Sequence, residues 1–353
     1  MNQVTLICKT LQPHLGWHGA RITFLALFLI ALFRVKTVNL AQLASAFMGK
    51  AQTESNYKRL QRFFGEFELD YFSLAKLVVN LMAIPQPWVL SVDRTNWEFG
   101  NCRINILMLG VVDNGVAFPL LWWMLDKKGN SNTTERIEWL KDFYQVFPDA
   151  KVAYLTADRE FLGHDWFEYL LNQALLPFRI RIRESDKLED GRQSLKAKLL
   201  FAHLQPHQHQ VLRHRRKLWG HWVYVAAVRL EDQSFLIVVT AEHPHSAIAD
   251  YAKRWSIETL FGCLKTRGFC LESTHLKDPE RLSRLIALLT IALCWAFRTG
   301  EWLAAQKPIT IKKHGRKAKS IFRVGFDHLR RTLLNLEQYV DEFLHLLTFL
   351  SCT

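Results

Sequence analysis

The pattern of apolar positions predicts that the first 85 residues are helical. Residues 22–33 are apolar on every side, which predicts a helix that is buried all round. A second helix is predicted at 39–47, and a third follows a turn at 48–53. In both, apolar residues recur three and four positions apart, which is the spacing of one helix face. These apolar positions are Leu40, Leu43, Ala44 and Phe47, followed by Tyr57, Leu60, Phe63 and Phe64.

The second of these short helices is basic between its apolar positions, at Lys58, Arg59 and Arg62. Two short helices with a basic second member are typical of a helix-turn-helix that reads DNA. A plain helical hairpin with a solvated basic face has the same pattern, so the pattern leaves both interpretations open. Region 1–85 is therefore predicted to be helical and is a candidate for DNA binding.

After residue 87 the pattern changes to short apolar runs. Strands are predicted at 88–92, 104–112, 116–125, 151–157 and 177–183, and helices at 133–146, 164–171 and 246–265. Asp113-Asn114-Gly115 joins the second and third strands and is a strong hairpin signal. A hairpin-rich start followed by alternating strands and helices predicts a mixed α/β fold, with helices on the faces of one sheet.

Two further regions differ from this core. Residues 184–245 begin polar and rich in histidine and then give two strands at 222–229 and 235–240, which predicts a β-rich insertion before the last core helix. Residues 271–353 are helical by pattern and are a candidate for dimerisation and DNA contact. The predicted organisation is thus a helical region 1–85, a core of 88–183 and 246–270, the insertion 184–245, and the helical region 271–353.

Charge and composition narrow the possible partners. The 353 residues include 46 Lys and Arg against 33 Asp and Glu, a net charge of +13, so nucleic acid is the first partner to expect. The six cysteines form no C-x-x-C pair, which favours a reducing compartment over a disulfide framework. The longest apolar runs, 22–33 and 285–297, are shorter than the about 20 residues that span a membrane. We therefore expect a cytoplasmic protein with no membrane partner.

Two aspartates each follow an apolar strand. Asp93 lies where the strand 88–92 ends, and Asp158 directly follows the strand 151–157. Carboxylates at the C-terminal ends of strands lie at a sheet edge where ligand sites form. One such Asp is more often a helix cap or a turn residue, but two of them favour a site with two carboxylate metal ligands.

The predicted helix 246–265 carries a narrow polar stripe. At about 100° per residue its members fall within an arc of about 60°. They are Tyr251, Arg254, Glu258 and Lys265. Arg254 and Glu258 are also spaced as a surface salt bridge requires, so the stripe alone does not decide its function.

The three acids share one chemistry. Asp93, Asp158 and Glu258 would converge on one edge of the sheet, and hard cations such as Mg²⁺ take oxygen ligands. Two ions about 3.5–4 Å apart can bind both the attacking and the leaving oxygen of a phosphoryl transfer. Arg254 and Lys265 beside them would hold a DNA phosphate.

Three motifs resemble those of the IS4-type insertion-sequence transposases, and the resemblance spans residues 88–270. They are the Asp motifs around Asp93 (Ser-Val-Asp-Arg-Thr-Asn-Trp) and Asp158 (Leu-Thr-Ala-Asp-Arg-Glu-Phe), and the Y-R-E-K spacing Tyr251-x2-Arg254-x3-Glu258-x6-Lys265. The resemblance implies a ribonuclease-H-like core with a DDE triad and two Mg²⁺ or Mn²⁺ ions. It also implies cut-and-paste movement of double-stranded DNA that is bounded by inverted repeats, with a DNA hairpin as intermediate.

The resemblance assigns a role to each motif residue. The catalytic metal ligands are Asp93, Asp158 and Glu258, and the residues that grip the DNA phosphates are Tyr251, Arg254 and Lys265. In hairpin-forming relatives an aromatic residue of the insertion stacks on a flipped base, and Trp219 or Trp222 can do so here. A buried core tryptophan is an equally good interpretation of either. Two DNA ends must be cut and joined to target DNA together, so a homodimer is expected in the DNA complex.

Several alternatives remain open at this stage. Glu160 and Glu98 lie beside the Asp motifs and either can replace a triad member, although the Y-R-E-K spacing favours Glu258. A nuclease that never joins strands, or a DNA-binding transposase relic without catalysis, would have a similar sequence; the presence of all three acids argues against the relic. The basic run 312–319 is either a solvated segment or a DNA contact. Zinc binding by histidines is disfavoured because no cysteine accompanies the cluster at His203, His207, His209 and His214.

Overall fold

The structure is a computed structural model of the chain and describes residues 2–99, 102–125, 127, 129–313 and 315–351. Two residues named by the sequence patterns, His314 of the basic run and Cys352, lie outside the described residues. The chain folds into two compact units. The first contains residues 1–84, 96–104 and 260–353, and the second contains residues 85–95 and 105–259.

Helices occur in both units. In chain order they are α1 (Gln3–Leu11), α2 (Gly19–Val35), α3 (Leu40–Ala46), α4 (Thr53–Glu66), α5 (Tyr71–Met82), α6 (Thr133–Val146), α7 (His164–Glu168), α8 (Ala197–Leu200), α9 (Ala247–Ala252), α10 (Trp255–Leu264), α11 (Pro279–Gln306), α12 (Ile321–Leu334) and α13 (Val340–Thr348).

The core of the first unit is built around α2 and α11. Residues 24–33 of α2 and 285–297 of α11 are buried on every side, because neither segment has a polar face to turn to solvent. By length and composition α11 is apolar enough to cross a membrane, and α2 with α3 passes the same test only as a pair bent by 105°. Since 89% of the most apolar stretch of α11 lies inside the protein, this helix is equally typical of a protein core.

The helices α3 and α4 confirm the two short helices predicted at 39–64. The side chain of Asn39 caps α3 by accepting hydrogen bonds from the backbone N–H groups of Ala41 and Gln42. Asn56 of α4 donates to the backbone carbonyl of Ala44 at 3.3 Å, which ties the two helices together. Lys58 on α4 is exposed. The DNA-binding role of this pair stays a prediction.

Glycines let α11 and α12 pack backbone to backbone. A Cβ atom added to Gly300 would lie 2.0 Å from the carbonyl oxygen of Ile321, and one added to Gly325 would lie 1.8 Å from that of Ala296. Only glycine fits at such approaches, so these two residues fix where the helices cross.

The second unit contains most of one large sheet. Its strands are β1 (Trp88–Phe99), β2 (Cys102–Asp113), β3 (Val116–Leu125), β4 (Val152–Ala157), β5 (Phe178–Ile182), β6 (Lys187–Glu189), β7 (Ser194–Lys196), β8 (His209–Val211), β9 (Arg216–Leu218), β10 (His221–Arg229) and β11 (Phe235–Thr240). The strand order is β3-β2-β1-β4-β5-β11-β10-β9-β6-β7, and β8 pairs with β10.

The pairing directions make the sheet mixed, which confirms the predicted α/β class. β2 and β3 form the predicted antiparallel hairpin, β1 and β5 both pair with β4 in parallel, and β11 pairs antiparallel with β5. β10 and β11 also pair antiparallel, as predicted for the region 184–245.

The first strand and the second core helix differ in extent from the prediction. The first strand does not end at Val92 but continues to Phe99. Its polar continuation reads as a loop in the sequence, but a strand keeps its backbone pairing with β2 whatever its side chains are. The helix predicted at 164–171 ends at Glu168 and is followed by a π-helical turn at Tyr169–Gln173.

Candidate active site

The two predicted aspartates are neighbours at one edge of the parallel pairing. The last residue pair between β1 and β4 is Val92 with Ala157, and Asp93 and Asp158 follow directly on the two strands. The sequence pattern predicts that Asp93 lies at the end of a strand. The structure corrects this: β1 continues past Asp93, and it is the pairing with β4 that ends there.

Arg254 joins Asp93 to Glu258. Its Nη1 atom lies 2.9 Å from Oδ2 of Asp93 and 3.3 Å from Oε1 of Glu258. Arg254 is only 8% exposed, and its backbone carbonyl accepts a hydrogen bond from the hydroxyl of the buried Ser91 on β1. Glu258 is more open, with 42% of its side chain exposed.

Asp158 has a different set of partners. It accepts a hydrogen bond from the hydroxyl of Tyr251 at 3.3 Å and from the backbone N–H of Arg159 at 2.7 Å. Nη1 of Arg181 on β5 lies 4.0 Å from the same carboxylate. Tyr251 is itself buried, in a cluster with Ala226, Val238 and Ala247.

The charges of these groups are coupled through Arg254. Burial raises the pKa of Asp93 to about 6, with a further rise from Glu160 and Glu258, although the backbone N–H of Arg94 and the Arg254 guanidinium oppose it. Burial works to lower the pKa of Arg254, but Tyr251, Asp93, Asp158 and Glu258 outweigh burial and the pKa is raised. All three predicted acids therefore stabilise the charge of the same guanidinium.

Tyr251 remains a phenol throughout the range in which proteins are assayed. Burial raises the pKa of Tyr251 to about 12, the nearby Arg254 opposes the rise, and Asp158 adds to it. The hydroxyl of Tyr251 is thus a donor to Asp158 and not an acceptor from it.

The helix predicted at 246–265 is broken, which corrects the geometry of the polar stripe. α9 ends at Ala252 and α10 begins at Trp255, with i→i−3 bonds from Arg254 to Tyr251 and from Ile257 to Arg254 in between. Tyr251 and Glu258 therefore lie on two separate helices rather than on one continuous helix face.

Lys265, the fourth stripe residue, comes after the end of α10 and belongs to the first unit. Its Nζ atom donates to the backbone carbonyl of Asn96 at 2.9 Å, and burial lowers its pKa. Its predicted phosphate contact stays a prediction.

The two tryptophans of the insertion have different environments. Trp219 is half-buried, has a φ of 46°, and packs edge-on against Phe167 with ring centroids 5.5 Å apart. Trp222 on β10 is 50% exposed. Of the two, Trp222 has the freer ring face for a base, while its role in DNA binding remains a prediction.

A second network, which the sequence analysis missed, holds the two Asp-bearing segments together. Arg94, next to Asp93, makes a two-pronged ion pair with Glu160, with N–O distances of 3.3 and 3.1 Å. It also donates to the side-chain oxygens of Asn105 and Asn130, each at 3.0 Å. Glu160 thus pairs with Arg94. The other acid beside an Asp motif, Glu98, pairs with Arg103 at 3.3 Å.

Arg136 of α6 binds the backbone of the segment that follows Asp158. It is buried and donates to the backbone carbonyls of Glu160 at 2.8 Å and Leu162 at 3.2 Å, and burial lowers its pKa to about 10. The sequence does contain a sign that Arg136 is buried and paired. This residue lies on the apolar side of an amphipathic helix, where a charged side chain needs partners.

The carboxylates of Asp93, Asp158 and Glu258 are the type of ligand that a hard divalent cation prefers, but the structure does not bring all three together. In this structure the cation that Asp93 and Glu258 share is the guanidinium of Arg254. Over the part of the chain that the structure describes, no group of three or more His, Cys, Asp or Glu residues is close enough together to hold a metal ion. An ion bound by both Asp93 and Glu258 would therefore compete with Arg254 for their oxygens.

With this geometry established, the comparisons with known proteins decide the family. Residues 85–295, more than half of the chain, match the family described as "Transposase DDE domain". The chain belongs to this family. DDE transposase domains generally use divalent metal ions.

A solved structure extends the likeness to the flanking regions of this DDE transposase. The chain is similar to a protein described as the piggyBac transposase in a synaptic complex with hairpin DNA, studied by cryo-electron microscopy. The TM-score is 0.51 at 11% sequence identity, and the match covers 97% of this chain and 78% of that chain. This likeness confirms the predicted ribonuclease-H-like fold with helical flanks. No curated protein matches the chain.

Proposed function

We propose that this DDE transposase is a cut-and-paste DNA transposase of the IS4 type. The observation that carries the proposal is the pairing of one buried cation, Arg254, with both Asp93 and Glu258, beside an Asp158 whose charge helps to raise the pKa of Arg254. Burying a cation next to two or more carboxylates costs desolvation free energy that packing alone would not require, and such clusters are typical of active sites.

Each side chain has a proposed task at the scissile phosphate. Asp93, Asp158 and Glu258 would hold two Mg²⁺ or Mn²⁺ ions, which when bound supply positive charge beside the attacking and leaving oxygens. Arg254, displaced from its carboxylates, would hold a non-bridging phosphate oxygen. Tyr251 keeps Asp158 oriented through its hydroxyl. Positioning and charge are most of what phosphoryl transfer needs from a protein.

The proposed reaction is a series of phosphoryl transfers in which one P–O bond forms as another breaks. Water attacks a phosphodiester at the transposon end and leaves a 3′-hydroxyl. That hydroxyl attacks the opposite strand to give a hairpin, water reopens the hairpin, and the freed 3′-hydroxyl joins target DNA. The substrates are double-stranded DNA with terminal inverted repeats and a target duplex.

The other regions have proposed roles in the same reaction. The pair α3 and α4 would contact the inverted repeat, and Trp222, with Trp219 as the second candidate, would stack on the flipped base of the hairpin. A homodimer that forms on two DNA ends in the bacterial cytoplasm completes the proposal.

The test uses the DNA that flanks the protein's own gene, with Mg²⁺, and separates products on a denaturing gel. We expect nicked, hairpin and joined species with the wild type, and DNA binding without any of them for Asp93→Asn. Asp165→Asn, which changes an exposed acid on α7, is the matched control and should cleave normally. Cleavage by Asp93→Asn at the wild-type rate would remove Asp93 from the site.

A strand-transfer assay with a pre-cut end that carries a 3′-hydroxyl separates this proposal from a nuclease of the same fold. Joined product supports a transposase, and hydrolysis without joining supports a nuclease. Binding without either reaction supports a catalytically silent relic.

A further inference from the structure

The connection between α11 and α12 has an unusual charge. Residues 307–320 contain six Lys or Arg residues and no Asp or Glu. Apart from the half-buried Ile309, every residue of the connection that the structure describes is exposed. Nothing in the proposed chemistry of the active site uses these residues.

The packing of the two helices does not require so long a connection. Gly300 lies against Ile321, the first residue of α12, so the chain leaves the crossing point and returns to it 21 residues later. In between, α11 continues from Gly300 to Gln306, which at 1.5 Å per residue carries the connection about 9 Å beyond the crossing. The basic residues are therefore held away from the helical core.

The connection forms a hairpin that is held by backbone hydrogen bonds. Thr310 and Ala318 are joined by a backbone hydrogen bond of 2.8 Å, Lys312 and Arg316 by another of 2.8 Å, and Ile311 bridges to Lys317. Gly315 supports the turn with a φ of +76°, a conformation that glycine adopts without strain. We call residues 310–318 the basic hairpin.

Three lysines of the basic hairpin have no carboxylate partner among the described residues. Lys319, just outside it, pairs with Asp327 at 3.1 Å. For Lys312, Lys313 and Lys317, by contrast, the described residues provide no carboxylate within ion-pair distance. Like charges on one ordered turn repel each other, and a partner with closely spaced negative charge relieves that repulsion.

We propose that the basic hairpin is a binding surface for the sugar-phosphate backbone of duplex DNA, and that it binds without regard to base sequence. Lysine ammonium groups are compact point charges that suit single phosphates, and phosphate contacts carry no sequence information. The choice of DNA as the polyanion rests on the proposed function. A surface of this kind fits DNA that the protein must hold whatever its sequence, such as target DNA.

The experiment measures the affinity of the full-length protein for a random-sequence duplex over a series of salt concentrations. The test variant is Lys312→Gln/Lys313→Gln/Lys317→Gln. Each lost phosphate contact lowers the slope of log affinity against log salt by about 0.9, so we expect the slope to fall by about 2–3. The affinity for a duplex with the transposon end should fall by the same factor as that for the random duplex.

Two control variants make the result specific. Lys9→Gln/Lys76→Gln/Lys141→Gln removes the same charge from exposed positions on α1, α5 and α6 and should leave the slope within about 1 of the wild type. Lys312→Arg/Lys313→Arg/Lys317→Arg keeps the charge and should restore the slope. All variants should melt at the wild-type temperature, since the replaced side chains are exposed.

The inference is overturned if both Gln variants change the slope equally, or if the hairpin variant loses affinity only for the transposon end. Its failure is distinguishable from failure of the proposed function. If the wild type cleaves its DNA ends but the hairpin variant keeps the full salt slope, only the DNA-binding role of the basic hairpin is contradicted. If the wild type neither binds nor cleaves DNA, the proposed function is contradicted as well.

Discussion

Arg254 is buried and contacts Asp93 of β1 and Glu258 of α10, and the nearby Asp158 at the end of β4 helps to raise its pKa. A buried guanidinium is tolerated only with anionic partners, and Asp93 and Glu258 provide them for Arg254. In the proposed function, an ion bound by both carboxylates would take the place of Arg254 as their positive partner.

At the same scale, Glu160→Gln tests whether Glu160 positions the site or belongs to the triad. The change weakens the two-pronged pair with Arg94, which keeps its bonds to Asn105 and Asn130. We expect end cleavage to slow by about 10–100-fold with unchanged DNA affinity, as for the loss of a supporting contact.

Glu98→Gln is the matched control, because Glu98 also lies beside an Asp motif but pairs with Arg103 at 3.3 Å on an exposed face. It should cleave at the wild-type rate. Complete loss of cleavage in Glu160→Gln, equal to that in Asp93→Asn, would instead make Glu160 a metal ligand.

The sequence reveals the candidate residues of the site better than their contacts. Asp93, Asp158 and Glu258 stand out because acids that follow apolar runs, or lie on a helix with cations, are conspicuous along a chain. The partners Arg94, Arg136 and Arg181 do not, because each belongs to the site through a contact across the sheet or from a packed helix. Contacts between distant segments follow from strand register, which the sequence pattern does not give.

Among the elements, α9 determines where Tyr251 lies. Asp250 of α9 accepts hydrogen bonds from Arg179 on β5 at 3.1 Å, from the hydroxyl of Tyr154 on β4 at 3.2 Å, and from Ser246 at 2.7 Å. Arg179 is only 2% exposed. This network fixes α9 on the sheet one residue before Tyr251.

Asp250→Ala should therefore cost about 3–5 kcal/mol of unfolding free energy, because it leaves the charge of Arg179 buried without its acid. Chemical denaturation measures this, with Asp165→Ala on the exposed face of α7 as the control, for which we expect less than about 0.5 kcal/mol. A loss of less than about 1 kcal/mol for Asp250→Ala would show that the pair does not fix α9.

The crossing of α11 and α12 gives a second prediction at the scale of elements. Gly325→Ala would place a methyl group 1.8 Å from the carbonyl oxygen of Ala296, so the helices must separate. We expect a loss of about 2–4 kcal/mol in unfolding free energy. Gly19→Ala at the start of α2, where nothing lies within 4 Å, is the control and should be neutral or slightly stabilising. Equal stability of the two variants would contradict the close packing.

Helices and strands with a regular apolar period were predicted well, and interrupted ones were not. α6, β3 and β11 begin and end at the predicted residues because their patterns end at turn or capping signals such as Asn132 and Gly115. The polar second half of β1 and the break between α9 and α10 were missed. Both depend on bonds to other segments, which override the local pattern.

Over the whole molecule, the strand alternation predicts the class of the fold because a mixed sheet with helices on its faces follows from the order of elements. The division into two units could not be predicted. Residues 96–104 and 260–353 join the N-terminal helices in the first unit, although they are far from them in sequence. The net charge of +13 agrees with a polyanion partner but identifies no surface. The structure adds that Lys312, Lys313 and Lys317 have no carboxylate partner among the described residues.

The central claim is that Asp93 and Asp158 are metal ligands in one phosphoryl-transfer site with Glu258. The most direct measurement is the rate of end nicking by Asp93→Cys and Asp158→Cys, each in Mg²⁺ and in Mn²⁺. A thiolate is a poor ligand for the hard Mg²⁺ and a better one for Mn²⁺. We expect both variants to be inactive in Mg²⁺ and to recover nicking in Mn²⁺, while Asp93→Asn and Asp158→Asn stay inactive in both. Nicking by either Asn variant at the wild-type rate in Mg²⁺ would contradict the account.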